Sequence, residues 1–339
     1  MGDEIAAEAA TPQGGQGTDI TDLGHGVFQI DTRMAGYEGI TAGYLIRGDR
    51  PCLVETGTAP SAPVVRDALR RLGVGADDLA SVVVTHIHLD HAGGAGDIAA
   101  MFPAAQIVVH QRGARHLADP SRLMASARLV YGDALDRLFG VLAPVPADRI
   151  VAVEDTGTID LGGGRRLDSH YSPGHAKHHI GLVDSDSGDL YVGDAAGVYL
   201  PETGDLRPGT PPPDFDLEIA LASLRKFASL RPTRLLFSHY GPVTPVIETL
   251  DRSAEEIRVW VEETRQARAA EADTGGETDA ADRLDELDGI EFEDLAESED
   301  LEDLEGLEDL EGLEDLEGLA EAEELADPEA TADPEDGAG

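Results

Sequence analysis

The chain has 339 residues, 68 of them Asp or Glu against 25 Lys or Arg, a formal net charge of −43, 41% hydrophobic residues and one cysteine. That balance excludes binding to a nucleic-acid backbone, which depends on Lys and Arg, and one cysteine excludes a disulfide framework. The N-terminus, MGDEIAAEAATPQGG, lacks the basic and apolar regions of a secretory signal, Ala6 stands where a myristoylation motif needs Ser or Thr, and no stretch approaches the ~20 apolar residues of a membrane span.

The expectation is therefore a cytoplasmic protein that meets neither membrane nor nucleic acid, in a reducing compartment that suits its cysteine usage. Cys52 lies in the apolar run CLV and reads as a small buried hydrophobe.

Along the chain, residues 1–20 are rich in Gly, Ala and acids and are expected to be disordered. Strand-like runs follow at 26–31, 40–47 and 51–55, then a helix from near Ser61 that ends in ALRRLGV. Ser81–Thr85 is rich in β-branched residues and reads as a buried strand; 95–101 can start a helix, and 105–110 is a further buried strand. Residues 122–142 are helical territory with more apolar surface than one packed face requires: Leu123, Met124, Leu138 and Phe139 cannot all face one sheet. The surplus suggests either a pocket wall for an apolar substrate or a cap against the core or a second subunit. Strands return near 150–154, 157–161, 166–171, 179–184 and 189–193. Asp216 is placed to cap LEIALASLRKFASL, LLF (235–237) is the last strand, and 245–270 is a helix.

This organisation divides the chain into an N-terminal segment, 1–20, a globular domain, 21–270, and an acidic tail, 271–339. The tail carries 31 Asp or Glu and one Arg, a net of −30, and repeats LEDLEG at 301–306, 307–312 and 313–318. Its leucines recur every third residue from Leu301 to Leu319, so on a helix each shifts by roughly 60° and no stripe forms. Disorder is the expected state, with docking on an unknown partner as the alternative. Lys177 and Lys226 are the only lysines, and residues 1–270, without the tail, still carry a net of −13. An acidic, lysine-poor surface of this kind suits a cytoplasm with molar salt.

Residues 83–94 read VVTHIHLDHAGG, with His86, His88, Asp90 and His91 within six positions. The loop follows a buried strand, a common place for sites in α/β folds. In a sharp loop these four side chains need not share a face, and they can serve two neighbouring ions; imidazole and carboxylate suit zinc, manganese or iron.

THIHLDH resembles the HxHxDH signature of the metallo-β-lactamase-fold metallohydrolases. Other stretches match that family in order and context from about residue 20 to residue 250: SPGHAKHH offers His175, YVGDAAG offers Asp194 and LLFSHYGP offers His239. The resemblance implies an α/β fold, an αββα four-layer sandwich. It also implies two divalent metal ions, zinc first with iron or manganese as alternatives. His86, His88 and His175 would hold one ion; Asp90, His91 and His239 would hold the other; Asp194 would bridge them. A metal-bridging hydroxide would then be the nucleophile, with Asp90 among the catalytic residues.

Asp194 stands where the best-known zinc lactamases place a cysteine, and His88 where flavo-diiron members have Glu. The 45 residues from Asp194 to His239 are too few for the large inserted domain of the fold's nucleases. The resemblance thus narrows to glyoxalase-II-like thioesterases, acyl-homoserine-lactone lactonases and small esterases, which act on a small-molecule ester, lactone or thioester; a homodimer is a possible assembly for this chain. No basic cluster for glutathione is evident. Mononuclear iron persulfide dioxygenases, and a non-catalytic scaffold with a vestigial site, are the alternative readings. Glu55 in LVETG, where most members have Asp, can hydrogen-bond a ligand histidine or cap a turn. His178 and His179 either contact the site or are satisfied by backbone. Gly197 stands where lactonases often carry a tyrosine, which leaves Tyr199 and Tyr240 as candidates to assist the oxyanion.

The acidic surface has a measurable consequence. The melting temperature is expected to be higher in ~2 M KCl than in ~0.1 M, because a Debye length of about 3 Å at 1 M screens self-repulsion; a thermal melt at the two salts checks it.

Overall fold

The β-branched runs of the first half pair into one sheet. A computed structural model describes residues 19–273; the repeats at 301–318, and nearly all of the expected N-terminal segment and acidic tail, lie outside the described residues. Seven strands line up in chain order: β1 (Ile20–Gly24), β2 (Val27–Asp31), β3 (Ala42–Ile46), β4 (Cys52–Val54), β5 (Ser81–Val83), β6 (Gln106–His110) and β7 (Ile150–Val153). The pairs from β1 to β4 are antiparallel and those from β4 to β7 parallel. Parallel pairing needs crossovers, supplied by α1 (Ala62–Arg71) and α2 (Ala95–Met101), then α3 (Gln111–Ala118), α4 (Ser121–Tyr131) and α5 (Ala134–Leu138).

The second half builds a six-stranded sheet. Its members are β8 (Thr156–Asp160), β9 (Arg166–Tyr171), β10 (Ile180–Asp184) and β11 (Asp189–Gly193), followed, after the small hairpin β12 (Val198–Leu200)–β13 (Asp205–Arg207), by β14 (Arg234–Phe237) and β15 (Gly241–Val243). The spatial order is β15-β14-β11-β10-β9-β8, with β11 and β14 parallel. Helix α6 (Leu217–Ser229) makes the crossover between them, and its cap is as expected: the Asp216 carboxylate accepts from Ile219 N at 2.9 Å. Helix α7 (Val246–Asp273) follows β15. Among the described residues no helix is long and apolar enough to cross a membrane.

Alternation along the strands divides the apolar side chains into three layers. Leu53, Val82 and Val84 join a cluster with Leu69, Ile98, Phe102 and Leu135 from the helices of the first half. Val54 and Val83, one position away, face Leu182, Tyr191 and Leu236 between the sheets. Leu235 and Phe237 face the opposite way from Leu236, against Leu224, Phe227, Leu250 and Ile257 of α6 and α7. Three apolar layers separate four structural ones, so the αββα sandwich follows from the period of two along each strand.

The two sheets are also tied by arginines. Arg234, at the start of β14, bonds Asp189 at the start of β11 (2.7 Å) and the Leu23 carbonyl in the first sheet (3.3 Å). Arg165 likewise bonds the buried Asp184 and the His25 carbonyl (2.7 Å).

Several expectations need correction. Residues 20–24 form an edge strand, although residue 20 falls in the segment expected to be disordered; its pairing with β2 supplies the order. The helical stretch expected over 122–142 is interrupted at Gly132–Asp133, and a separate helix, α3, precedes it. Leu123, Met124 and Leu138 are partly buried against the first cluster and Phe139 is buried within it, so all four pack on the core. The large apolar residues left exposed there are Leu129, Val130, Tyr131 and Val141.

The second sheet leaves no room at Gly181 of β10. A Cβ there would lie 2.5 Å from the fully buried Phe227 ring. Gly181→Ala is expected to destabilise the fold by about 1–3 kcal/mol, the usual cost of overpacking, as read by denaturant unfolding.

Candidate metal centre

Each donor follows the end of a strand, where an apolar run gives way to polar residues. His86 to His91 follow β5, His175 lies in the turn between β9 and β10, Asp194 follows β11 and His239 follows β14. Backbone bonds stitch these ends together: Ile180 N donates to Thr85 O at 2.9 Å, Ala42 N to Ser238 O at 2.8 Å and Thr56 N to His91 O at 2.8 Å. All seven expected metal ligands converge, in two groups whose donor atoms lie within 4.8 Å of one another. One is His86, His88 and His175; the other is Asp90, His91, Asp194 and His239.

In the first group, His88 Nδ1 lies 3.0 Å from both His86 Nε2 and His175 Nε2. One nitrogen cannot serve both neighbours as donor. The far side of His175 fixes its tautomer, since Nδ1 donates to the Gly209 carbonyl at 3.1 Å and leaves a lone pair on Nε2. His239 is set in the same way by the Ile40 carbonyl at 2.9 Å. Its Nε2 then faces Asp90 Oδ2 at 3.2 Å and His91 Nε2 at 3.3 Å. Asp194 turns Oδ1 toward His91 (3.3 Å) and His239 (3.7 Å), and Oδ2 toward His175 (3.6 Å).

Lone pairs that converge in this way, and the buried Asp194 Oδ1 with no hydrogen-bond partner, are what a cation would satisfy. Nitrogen and carboxylate oxygen are also the right donor chemistry for a divalent metal. The residues therefore fit such ions.

Titration follows from the same contacts. Burial, reinforced by neighbouring histidines, holds His86 well below its ordinary value and His88 down at about 3. Burial alone would lower His91 and His239 too. The Asp194 and Asp90 carboxylates outweigh it and raise both, with Glu55 adding to the effect at His91. Asp194 is held below its usual range despite burial, chiefly by His91 and His239.

Three further residues support the donors. Glu55 is buried at φ +65°, a conformation that non-glycine residues rarely adopt. Its Oε1 accepts from Thr85 N at 3.2 Å, and its Oε2 lies 3.6 Å from His91 Nδ1, just beyond hydrogen-bond reach. His179 is buried, bonds Ser172 Oγ at 2.8 Å and accepts from Asp194 N at 3.1 Å; His178 accepts from Ile87 N at 3.4 Å. Both are satisfied histidines, and His179 fixes the backbone that carries Asp194. The approach requires Gly193, at φ +51°, because a Cβ would stand 2.4 Å from His179 Nε2 and 2.6 Å from Thr85 Oγ1. The His179–Asp194 contact joins residues 15 apart and was legible only as a histidine near the Gly-His loop.

The two tyrosines singled out by sequence are engaged elsewhere. The Tyr199 ring packs on Phe237, on the α6–α7 side of the second sheet. The Tyr240 hydroxyl donates to Asp31 at 3.3 Å, and burial followed by the Asp31 charge pushes it up to about 12. Neither contact involves a donor of the two groups, although the Tyr199 amide donates to the carbonyl of the ligand His239; the oxyanion role of Tyr199 and Tyr240 is an expectation from sequence alone.

A four-layer sandwich with histidine and aspartate donors at its strand ends defines a class of metal-centred α/β proteins. The pattern of the Metallo-beta-lactamase superfamily matches residues 36–239. The chain belongs to that superfamily. It is 33% identical over 193 residues to the metallo-beta-lactamase fold-containing protein ST1585 of Sulfurisphaera tokodaii, a match covering 55% of this chain and 71% of the relative. The crystal structure of ST1585 from Sulfolobus tokodaii superposes with a TM-score of 0.59 at 26% identity, over 68% of this chain and 86% of that one. A probable metallo-hydrolase of Bacillus subtilis, YqjP, is 25% identical over 248 residues, 66% of this chain and 74% of the relative. The acyl-coenzyme A thioesterase MBLAC2 of Bos taurus is 28% identical over 189 residues, 51% and 64% of the two chains.

The raised His91 and His239 set a pH dependence. Both hold protons to higher pH than a free histidine, and a metal ion must displace them. Zinc affinity is expected to fall as pH drops through the raised values of His91 and His239, beginning at higher pH than for ordinary histidines, with proton release on binding; calorimetric titration in buffers of different ionisation enthalpy measures both.

Proposed function

We propose that the protein is a dinuclear metal-dependent hydrolase of a small, uncharged ester, lactone or thioester. The observation that carries this reading is the Asp194 carboxylate, which presents one oxygen to each donor group. His86, His88 and His175 would hold one ion and Asp90, His91 and His239 the second, with Asp194 between them. Zinc suits this set, and iron or manganese accept the same donors. Bound ions supply Lewis acidity that polarises a carbonyl and lowers the pKa of water toward neutrality.

The chain's own groups hold that arrangement and manage protons. The Gly209 and Ile40 carbonyls keep His175 and His239 in their donating tautomers. Asp90 directs Oδ2 at His239 and His91 and is one of the two donors that are not buried. Its carboxylate would take a proton from a reactant and return it. A protein nucleophile is not required, and the one cysteine is unsuited to act as one. Cys52 is buried on β4, where desolvation pushes its thiol up to about 12. The names of the relatives, a metallo-hydrolase and an acyl-coenzyme A thioesterase, support transfer of an acyl group to water.

Asp194→Ala removes the oxygens shared by the two groups. Activity on a panel of esters, lactones and thioesters is expected to fall at least ~10²-fold, with bound metal below two ions per chain by elemental analysis. Full activity with two ions retained would overturn the reading. One iron per chain with oxygen uptake on a thiol persulfide would replace it by the dioxygenase alternative.

A further inference from the structure

Three consecutive residues that follow His175 bond to the other donor-bearing segments. His178 Nδ1 accepts from Ile87 N at 3.4 Å, His179 Nε2 accepts from Asp194 N at 3.1 Å, and Ile180 N donates to Thr85 O at 2.9 Å. The first of these bonds falls between two ligands. Ile87 separates His86 from His88, so whatever holds its peptide also sets the directions in which both imidazoles leave the backbone. Ile87 is buried, and its amide therefore needs an acceptor inside the protein.

The two adjacent histidines must adopt opposite tautomers. A ring nitrogen that accepts a hydrogen bond carries no proton. His179 accepts at Nε2, so its proton sits on Nδ1 and is donated to Ser172 Oγ at 2.8 Å. His178 accepts at Nδ1, so its proton sits on Nε2. Packing holds the His178 ring in that pose. It lies nearly parallel to His86 (13°, centroids 6.2 Å apart) and edge-on to His88 (86°, 5.9 Å). Helix α3 closes the remaining side: a Cβ on Gly113 would stand 2.8 Å from Ile87 Cγ2 and 3.8 Å from His178 Cβ. The glycine lets the helix lie against both partners of the bond.

We propose that His178 is a positioning residue for one ion only: by accepting from the Ile87 amide through Nδ1 it aims His86 and His88 at a common point and ties that point to the turn that carries the third ligand, His175. One side chain thus links all three donors of the first group, although they come from two different sheets. The second group is held from elsewhere, by Thr56 N on the His91 carbonyl and by the Ile40 carbonyl on His239 Nδ1. The proposal rests on the dinuclear reading above and makes the two ions unequal in what holds them.

The test uses full-length, metal-free protein titrated with zinc by calorimetry in the presence of a competing chelator. Wild type is compared with His178→Ala, His178→Asn and His178→Gln. Asn places its carbonyl oxygen where Nδ1 stands and keeps the acceptor, whereas Gln places it where Nε2 stands and loses it. Loss of a group that orients a ligand lowers metal affinity roughly 10–100-fold. His178→Ala and His178→Gln are therefore expected to weaken one of the two ions at least ~10-fold and to leave the other within about threefold. His178→Asn should keep both within about threefold of wild type. Unchanged affinities in His178→Ala, equal losses at both ions, or equal affinities in the Asn and Gln variants each overturn the proposal. If His178→Ala does not fold, the contrast between Asn and Gln carries the test. A second readout needs neither zinc nor turnover. In ¹⁵N-histidine-labelled, metal-free wild type, the resonances lost in His178→Asn should show a bare Nδ1 and a protonated Nε2. A protonated Nδ1 overturns the proposal whatever the affinities. If wild type binds fewer than two zinc ions, the dinuclear reading fails on its own, and the tautomer decides for His178: a bare Nδ1 supports it, a protonated one overturns it.

Discussion

One buried carboxylate organises the centre. Asp194 faces His91 and His239 with one oxygen and His175 with the other, and such a placement costs several kcal/mol of desolvation unless positive charge surrounds it. The fold meets that demand by ending three strands at the same edge. β11 delivers Asp194, its parallel neighbour β14 delivers His239, and β5 of the opposite sheet delivers the signature loop. Because β11 and β14 run the same way, their C-terminal ends coincide, and the crossover helix α6 is what lets them do so. The apolar layer between the sheets then holds them at a fixed spacing, so the histidines of the signature loop meet the aspartate of the other sheet.

Around the donors lies a shell of groups that do not ligate but determine what the ligands can be. The Gly209 and Ile40 carbonyls choose the tautomers of His175 and His239. His179 anchors the peptide before Asp194 and is itself held by Ser172. Glu55 adopts a strained backbone to sit between the Thr85 amide and His91. A mutational survey limited to the seven donors would miss these residues, although the donors' orientation depends on them.

Much of this was legible in the chain itself, for identifiable reasons. Polar donors that interrupt apolar β-branched runs mark strand ends, so His86 to His91 stood out, the family resemblance added His175, Asp194 and His239, and β9, β11 and α2 were read to the residue. The Asp216 cap was readable because capping is local. The short elements were not: β12, β13 and β15 have three residues each, below what a period of two can register. The edge strand β1 gains its order from β2 and not from its own pattern of half-exposed residues. The contacts of the two tyrosines were not legible because their partners are remote. Tyr240 finds Asp31 across 209 positions of sequence, and Tyr199 finds Phe237 across the hairpin. Proximity in sequence to a donor says little about where a long side chain ends.

The arginine ties lie at the opposite end of the strands from the donors. Arg234 and Asp189 begin β14 and β11, whereas His239 and Asp194 follow the ends of the same two strands. Arg165 and Asp184 hold the corresponding end of β10. Cohesion and chemistry are thereby assigned to separate poles of one sandwich. The loops at the donor pole can be lengthened, shortened or exchanged over evolutionary time while the clamp at the other pole keeps the sheets in register. A scaffold partitioned in this way can acquire new substrates without first renegotiating its own integrity.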